Sequence, residues 1–219
     1  MNVPTLFDYN GVLVDDEDVH FAAFREALVP RGIELTHEQY VERYLGFDDV
    51  GAFQAILIDA GETPTDDDVR ELVDAKKPLY LARIADLRTF PGARDLVLRR
   101  AALGVVGVVS GALRNEIEIG LDRLGVRDAV RFVVSAEDTQ ACKPDPEGYL
   151  EALRRLGALG HKGPAVAIED SIAGVEAAKR AGLRCVAVAH TYAPFELARA
   201  GADAVVPTLA SLTDDTLAC

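Results

Sequence analysis

Two patterns of apolar residues alternate along this chain and divide it into unlike parts. Short unbroken apolar runs stand at Val3–Phe7, Val105–Val109, Phe132–Val134, Ala165–Ile168, Arg184–Ala189 and Ala204–Val206. Runs without polar alternation suit strands buried on both faces. Helical patterns at 92–103, 112–124, 146–157 and 172–181 separate the later runs. That alternation predicts right-handed crossovers and an α/β fold with a doubly wound parallel sheet.

Between the first run and the rest the period is helical throughout. Val19, Ala23, Phe24, Ala27 and Leu28 give a helix over 16–30 its apolar face, and Pro30 and Arg31-Gly32 end it. Thr36, followed by Glu38 and Gln39, reads as the cap of a second helix reaching about Leu45, with Gly46 as the break. A third helix is expected over 49–60, and a longer fourth from Thr65 to Ile84, with Pro78 marking a kink or a break. Four helices with no strand between them form an insertion. The expected domains are an α/β core of 1–14 and 88–219 and a helical cap of 15–87. The joins near 14–17 and 85–90 are candidate hinges, on which the cap is expected to move as a rigid lid.

The chemistry gathers where the strands end. Asp8 closes the first run and is followed by the turn signal Asn10-Gly11. Open parallel sheets bind ligands at the carboxyl ends of their strands, so a carboxylate there is a candidate nucleophile as well as a turn cap. Ser110 follows Val108-Val109 and precedes a helical pattern, where its hydroxyl and the amides of Gly111 and Ala112 can face an anion. Lys143, in Cys142-Lys143-Pro144-Asp145-Pro146, offers a compact positive charge, unless it is an ordinary loop residue. Glu169-Asp170 ends another run before Ser171, either as an acidic helix start or as a metal pair. Carboxylates set beside Asp8 call for a cation, and Mg²⁺ favours a few carboxylates with water and substrate oxygens.

These four stretches, in this order and at these spacings, resemble the haloacid dehalogenase superfamily over nearly the whole chain. The resemblance points to the β-phosphoglucomutase and phosphoglycolate-phosphatase-like branch, a Rossmann-like core carrying a small helical cap. It implies a Mg²⁺-dependent hydrolase of small phosphate monoesters that works through an aspartyl-phosphate on Asp8. It makes Lys143 and Ser110 with Gly111 the phosphoryl holders. It makes Asp8, the Asn10 carbonyl, Glu169 and Asp170 the metal site, with Asp170 direct and Glu169 through water.

Asn10 departs from the family, which carries an acid-base Asp there. An amide neither protonates a leaving oxygen nor deprotonates water, a loss of ~10²–10⁴-fold. Three explanations stand: an introduced substitution that traps a complex, a slow or specialised enzyme, and a binding protein. His20, at a place where the branch also carries a His, is the candidate substitute proton carrier or else a polar surface residue. In Gly46-Phe47-Asp48-Asp49, Asp49 stands where mutases place an arginine for a second phosphate, which favours a substrate with one phosphate. Cap arginines Arg25 and Arg43 leave room for a carboxylate. The rivals are a metal-free 2-haloacid dehalogenase, a phosphonatase (which needs a cap lysine, with only Lys76 and Lys77 on offer), and a phospho-ligand binding protein.

Bulk properties narrow the partners. The 219 residues suffice for one full domain and a small one. A net charge of −13 argues against nucleic acid and anionic membranes. Cys142, Cys185 and Cys219 show no metal-ligand spacing, which suits free thiols in a reducing cytoplasm. No signal peptide or spanning run is evident. The expected partner is a small phosphorylated metabolite, and the expected state a monomer or weak dimer.

Overall fold

The computed structural model describes residues 3–45, 47–84 and 87–218. Its chain divides into two compact units, Met1–Asp15 with Arg88–Cys219, and Asp16–Leu87.

The first unit is built on a six-stranded parallel sheet. Strand β1 (Thr5–Phe7) pairs with β4 (Val106–Val109) on one side and β6 (Val166–Glu169) on the other. Beyond β4 lies β5 (Phe132–Val134), and beyond β6 lie β7 (Arg184–Val188) and β8 (Ala204–Val206). The strand order β5-β4-β1-β6-β7-β8 reverses direction between β1 and β6, the switch point at which a doubly wound sheet opens a crevice. Every residue of β1, β4 and β6 is buried, which is why these segments read as unbroken apolar runs. The core sets Leu6, Val109, Val134, Ala167, Cys185 and Ala187 of the sheet against Tyr149, Ala152, Val175 and Ala178 of helices.

The helices of this unit are α5 (Ala93–Leu103), α6 (Arg114–Leu124), α7 (Glu147–Ala158), α8 (Ile172–Arg180) and a short α9 (Pro194–Arg199). The sequence pattern has no place for α9, because six residues are too few to show a 3.6-residue period. A second feature absent from the pattern is a ribbon of β2 (Val14–Asp15) with β3 (Arg88–Thr89), paired antiparallel at the two joins of the insertion. Its strands are two residues long, and it carries Asp15 into the first unit. Of the hinge segment near 85–90, residues 85 and 86 lie outside the described residues.

The second unit holds α1 (Glu17–Leu28), α2 (His37–Gln39), α3 (Asp49–Asp59) and α4 (Asp66–Arg83). Thr36 and Thr65 each form a capping box, and the Asp48 side chain accepts from the Gly51 amide. The expected second helix is α-helical for three residues only and continues as a π-helix over Tyr40–Tyr44. The break assigned to Gly46 lies outside the described residues. Pro78 does not break α4, which runs through it. Phe24, Leu28, Tyr40, Phe53, Ile56, Leu57, Val69 and Leu72 form this unit's own core.

Candidate active site

Asp8 is the first residue beyond β1, and its amide donates to the Ile168 carbonyl of β6 at 2.9 Å. That bond places its side chain at the switch-point crevice, beside the two residues that end β6. Glu169 is the last residue of β6 and fully buried; Asp170 follows it and is 4% exposed. One ligand oxygen from each of Asp8, Glu169 and Asp170 lies within 4.8 Å of the others. Lys143, from the loop after β5, reaches into the same place. Its Nζ donates to Asp8 Oδ1 at 2.7 Å, to Glu169 Oε1 at 2.6 Å and to the Val109 carbonyl at 3.1 Å. The Tyr149 hydroxyl of α7 also donates to Glu169 Oε1, at 2.6 Å.

Two glycines make the packing possible. A Cβ on Gly174, in the first turn of α8, would lie 2.0 Å from Glu169 Oε2. A Cβ on Gly11 would lie 2.0 Å from Asp170 Oδ2, and Gly11 has the positive φ of +74° that side chains disfavour.

Three carboxylates around one lysine leave a surplus of negative charge. Burial, together with the Glu169 charge and against the pull of Lys143, pushes the Asp8 carboxyl up to about 7. Burial and the charges of Asp8 and Glu169 push Asp170 well above the carboxylate range. Burial works against the Lys143 ammonium, yet Asp8 and Glu169 outweigh it and hold its pKa above that of ordinary lysine. Among the described residues Glu169 Oε2 is buried with no hydrogen-bond partner, a costly state for a carboxylate oxygen. A hard divalent cation held by the cluster would offset this surplus of negative charge and favour the ionised carboxylates. An all-oxygen donor set with so little space fits Mg²⁺.

Asn10 and Ser110 stand at the edge of this cluster. The Ser110 hydroxyl donates to Asn10 Oδ1 at 3.1 Å and accepts from the Ala112 amide at 3.1 Å. The helix expected over 112–124 begins two residues later, at Arg114 with Leu113 at its cap, and the Ala112 amide donates to Ser110 itself. Gly111 is exposed in that loop. Cys142 is an exposed thiol beside Lys143, and Cys185 is buried in β7.

His20 lies in the second unit, on α1, in a buried polar chain. Tyr80 donates to Asp16 Oδ2 at 2.6 Å, His20 Nε2 faces the same oxygen at 3.2 Å, and Lys76 Nζ meets His20 Nδ1 at 2.8 Å. Lys76, 1% exposed, also pairs with Asp49. Both ring nitrogens of His20 are thus engaged within its own unit. Asp49 opens α3, where its charge is met by Lys76; Arg43 pairs with Asp59, and Arg25 lies over the Phe21 ring.

Sequence reasoning missed Tyr149, His190 and Thr191. Thr191 donates to Asp170 Oδ2, and His190 Nδ1 meets the Gly11 carbonyl at 2.8 Å. Both follow β7 in a turn with no motif around it, so only the fold brings them here. A cavity of about 460 Å³ opens at the opposite strand ends among Ala165, Lys179, Leu183, Arg184 and Asp203. It lies away from the carboxylate cluster.

Residues 5–188 match the family described as Haloacid dehalogenase-like hydrolase, and the chain belongs to that family. Within the family it stands in the branch of phosphatases and β-phosphoglucomutases, and it is a hydrolase of the phosphatase kind. It is 31% identical over 206 residues to "Phosphorylated carbohydrates phosphatase" of Thermotoga maritima, covering 92% of each chain. It is 31% identical over 208 residues to "Protein SUPPRESSOR OF QUENCHING 1, chloroplastic" of Arabidopsis thaliana, covering 90% of this chain and 19% of that protein. Among solved structures, an aspartate-to-asparagine mutant of CbbY from Rhodobacter sphaeroides, in complex with xylulose-(1,5)bisphosphate, superposes with a TM-score of 0.85. It is 28% identical and covers 100% of both chains.

Proposed function

We propose that this chain is a Mg²⁺-dependent phosphomonoesterase for a small phosphorylated carbohydrate, turning over through an aspartyl-phosphate on Asp8. The observation that carries this reading is the Lys143 ammonium bridging Asp8 and Glu169 at 2.7 and 2.6 Å, with an unpartnered Glu169 oxygen and Asp170 beside it. Asp8, the Asn10 carbonyl, Glu169 and Asp170 would hold the ion, which when bound neutralises the site and polarises the phosphoryl oxygens.

An Asp8 oxygen attacks phosphorus, a P–O bond forms, and the bond to the leaving oxygen breaks. Lys143 draws charge from the carboxylate and the phosphoryl group as it transfers, and Ser110 with Gly111 holds the phosphoryl oxygens. Water then attacks the aspartyl-phosphate, releasing phosphate and restoring Asp8. Asn10 can hydrogen-bond to the leaving oxygen but has no proton to transfer, so each step proceeds without general acid-base help. Activated esters are therefore the fast substrates.

The likeness to a phosphorylated-carbohydrate phosphatase and to a CbbY structure holding xylulose-(1,5)bisphosphate supports the carbohydrate class. The Asp49–Lys76 pair supports a substrate with one phosphate, since the lysine's charge is already met. Cys142, exposed, and Cys185, buried, are reduced cysteines that suit a cytoplasmic enzyme. Among the described residues no helix is long and apolar enough to cross a membrane.

A second reading, a phospho-ligand binding protein, is favoured by Asn10 alone. Phosphate release from an aryl and an alkyl phosphate, with Mg²⁺ and with chelator, tests both. Mg²⁺-dependent release of the aryl ester supports the enzyme. Ligand-dependent thermal stabilisation without release from either ester supports the binding protein.

A further inference from the structure

The turn after Asp8 is held from two sides by groups that the proposed reaction does not use. Gly11 donates its amide to the Val14 carbonyl at 2.9 Å, and its own carbonyl meets His190 Nδ1 at 2.8 Å. A carbonyl oxygen can only accept, so Nδ1 carries the proton and donates. The imidazole lies flat on Phe90, with ring centroids 3.8 Å apart and planes 16° apart. Phe90 directly follows β3 and donates its amide to the Leu13 carbonyl at 3.2 Å. His190 is thus fixed between the β2–β3 ribbon and the Asn10-Gly11 turn. The next residue, Thr191, donates its hydroxyl to Asp170 Oδ2, the oxygen nearest to where a Gly11 Cβ would stand. Two consecutive residues therefore hold both sides of the Gly11–Asp170 contact.

The sheet does not require this arrangement. The β7–β8 pairing ends at Val188, and the imidazole makes its hydrogen bond outside the sheet. What the hydrogen bond does fix is the conformation of Gly11. Together with the Gly11 amide bond it holds the positive φ, and so the orientation of the Asn10–Gly11 peptide. Partners of metal ligands that set their orientation typically alter affinity or activity by 10–100-fold when removed.

We propose that His190 is a positioning residue: through the Gly11 carbonyl, and with Phe90 as backing, it fixes the Asn10-Gly11 turn so that the Asn10 carbonyl and Asp170 address one divalent ion. This rests on the reading that Asp8, Glu169 and Asp170 hold Mg²⁺. His190 touches no reacting atom, so its loss should act through ion affinity.

Two substitutions separate its parts. His190→Phe keeps a ring on Phe90 and removes the donor. His190→Asn removes the ring and keeps an N–H where Nδ1 stands. Mg²⁺ binding to the full chain is measured by calorimetry, beside the melting temperature in chelator and phosphate release. The expected result is a Mg²⁺ dissociation constant raised about 10-fold or more in His190→Phe and restored to within about threefold of the parent in His190→Asn. Melting in chelator should not track that order. Equal Mg²⁺ affinity in His190→Phe and the parent overturns the proposal. So does a loss in His190→Asn as large as that in His190→Phe. If His190→Phe fails to fold, His190→Gln, whose amide reaches toward the Nε2 and not the Nδ1 place, serves instead: weaker Mg²⁺ binding supports the proposal and unchanged binding overturns it. A parent protein that binds no Mg²⁺ overturns the metal-site reading and this proposal with it. Binding by the parent with no effect of the variants overturns this proposal alone.

Discussion

Replacing Asn10 by Asp is the change on which the proposed chemistry depends most sharply. The substitution is isosteric, and the Ser110 hydroxyl that donates to Asn10 Oδ1 at 3.1 Å can donate to a carboxylate oxygen in its place. Little repacking is therefore expected. What changes is that position 10 gains a transferable proton. General acid-base help is worth ~10²–10⁴-fold, or about 3–5 kcal/mol of barrier at 1.36 kcal/mol per decade. The gain should be largest for alkyl phosphates, whose leaving oxygens need the proton, and small in the first step for aryl phosphates. In the parent, the second step also lacks its base, so an acid-quenched reaction should trap phosphate on Asp8, and Asn10→Asp should empty that intermediate. The assay is initial-rate phosphate release across esters of graded leaving-group basicity at saturating Mg²⁺, with peptide mass analysis of every sample. That control matters because Asn-Gly sequences deamidate, and a small fraction of chains deamidated at Asn10 would carry the whole alkyl activity. Brisk alkyl hydrolysis by chemically pure parent, with no gain in Asn10→Asp, would refute the assignment of this position.

The remaining predictions concern the ion, the packing and acid stability. Mg²⁺ at about 100 times its dissociation constant should stabilise the fold by about 2.7 kcal/mol, and Asp170→Ala should abolish the shift between melts in Mg²⁺ and in chelator. Gly174→Ala drives a methyl into the Glu169 carboxylate, so denaturant unfolding should show a loss of about 1–3 kcal/mol together with weaker Mg²⁺ binding. Asp138 joins β5, α6 and α7 through Ser135, Arg114 and Arg155. Burial pushes its carboxyl up, but the Ser135 amide and Arg155 outweigh burial and hold it below the usual carboxylate value. The folded state therefore binds the proton less readily than the unfolded one. The resulting stability is present above the unfolded value of about 3.9 and is lost as pH falls through the lower folded value. Asp138→Asn should cost about 1.5–3 kcal/mol in denaturant melts near neutral pH and flatten the acid limb, whereas an unchanged acid limb would count against the assignment.

The parts of the molecule legible in the sequence are those where one physical demand acts alone. Strands β1, β4 and β6 are wholly buried, so burial wrote them as apolar runs, and the four motif stretches sit at their ends or on the loops beside them. Thr36 and Thr65 show their capping boxes because a cap is a local contact. The β2–β3 ribbon leaves no such trace, because it joins residues far apart in sequence through strands too short for any period. The start of α6 is read two residues early, at 112 rather than Arg114, for a similar reason: the Ser110 hydroxyl accepts from the Ala112 amide, and nothing in Ser-Gly-Ala-Leu announces that local use. Thr191 and His190 carry no motif, and their roles exist only where β7 ends beside β6.

The charge balance of the site ties these parts together. Lys143 bridges two carboxylates of the cluster, those of Asp8 and Glu169. Among the described residues Asp170 meets Thr191, a neutral donor, and Glu169 Oε2 has no hydrogen-bond partner. A site built for the protein alone would have a second lysine or an amide in those places, since an unpaired buried carboxylate costs several kcal/mol. On the function proposed above, a cation and then a phosphoryl group would complete this arrangement. On that proposal Asn10 would bear on rate more than on binding. It keeps the backbone carbonyl and an oxygen for Ser110, and it withholds only the proton.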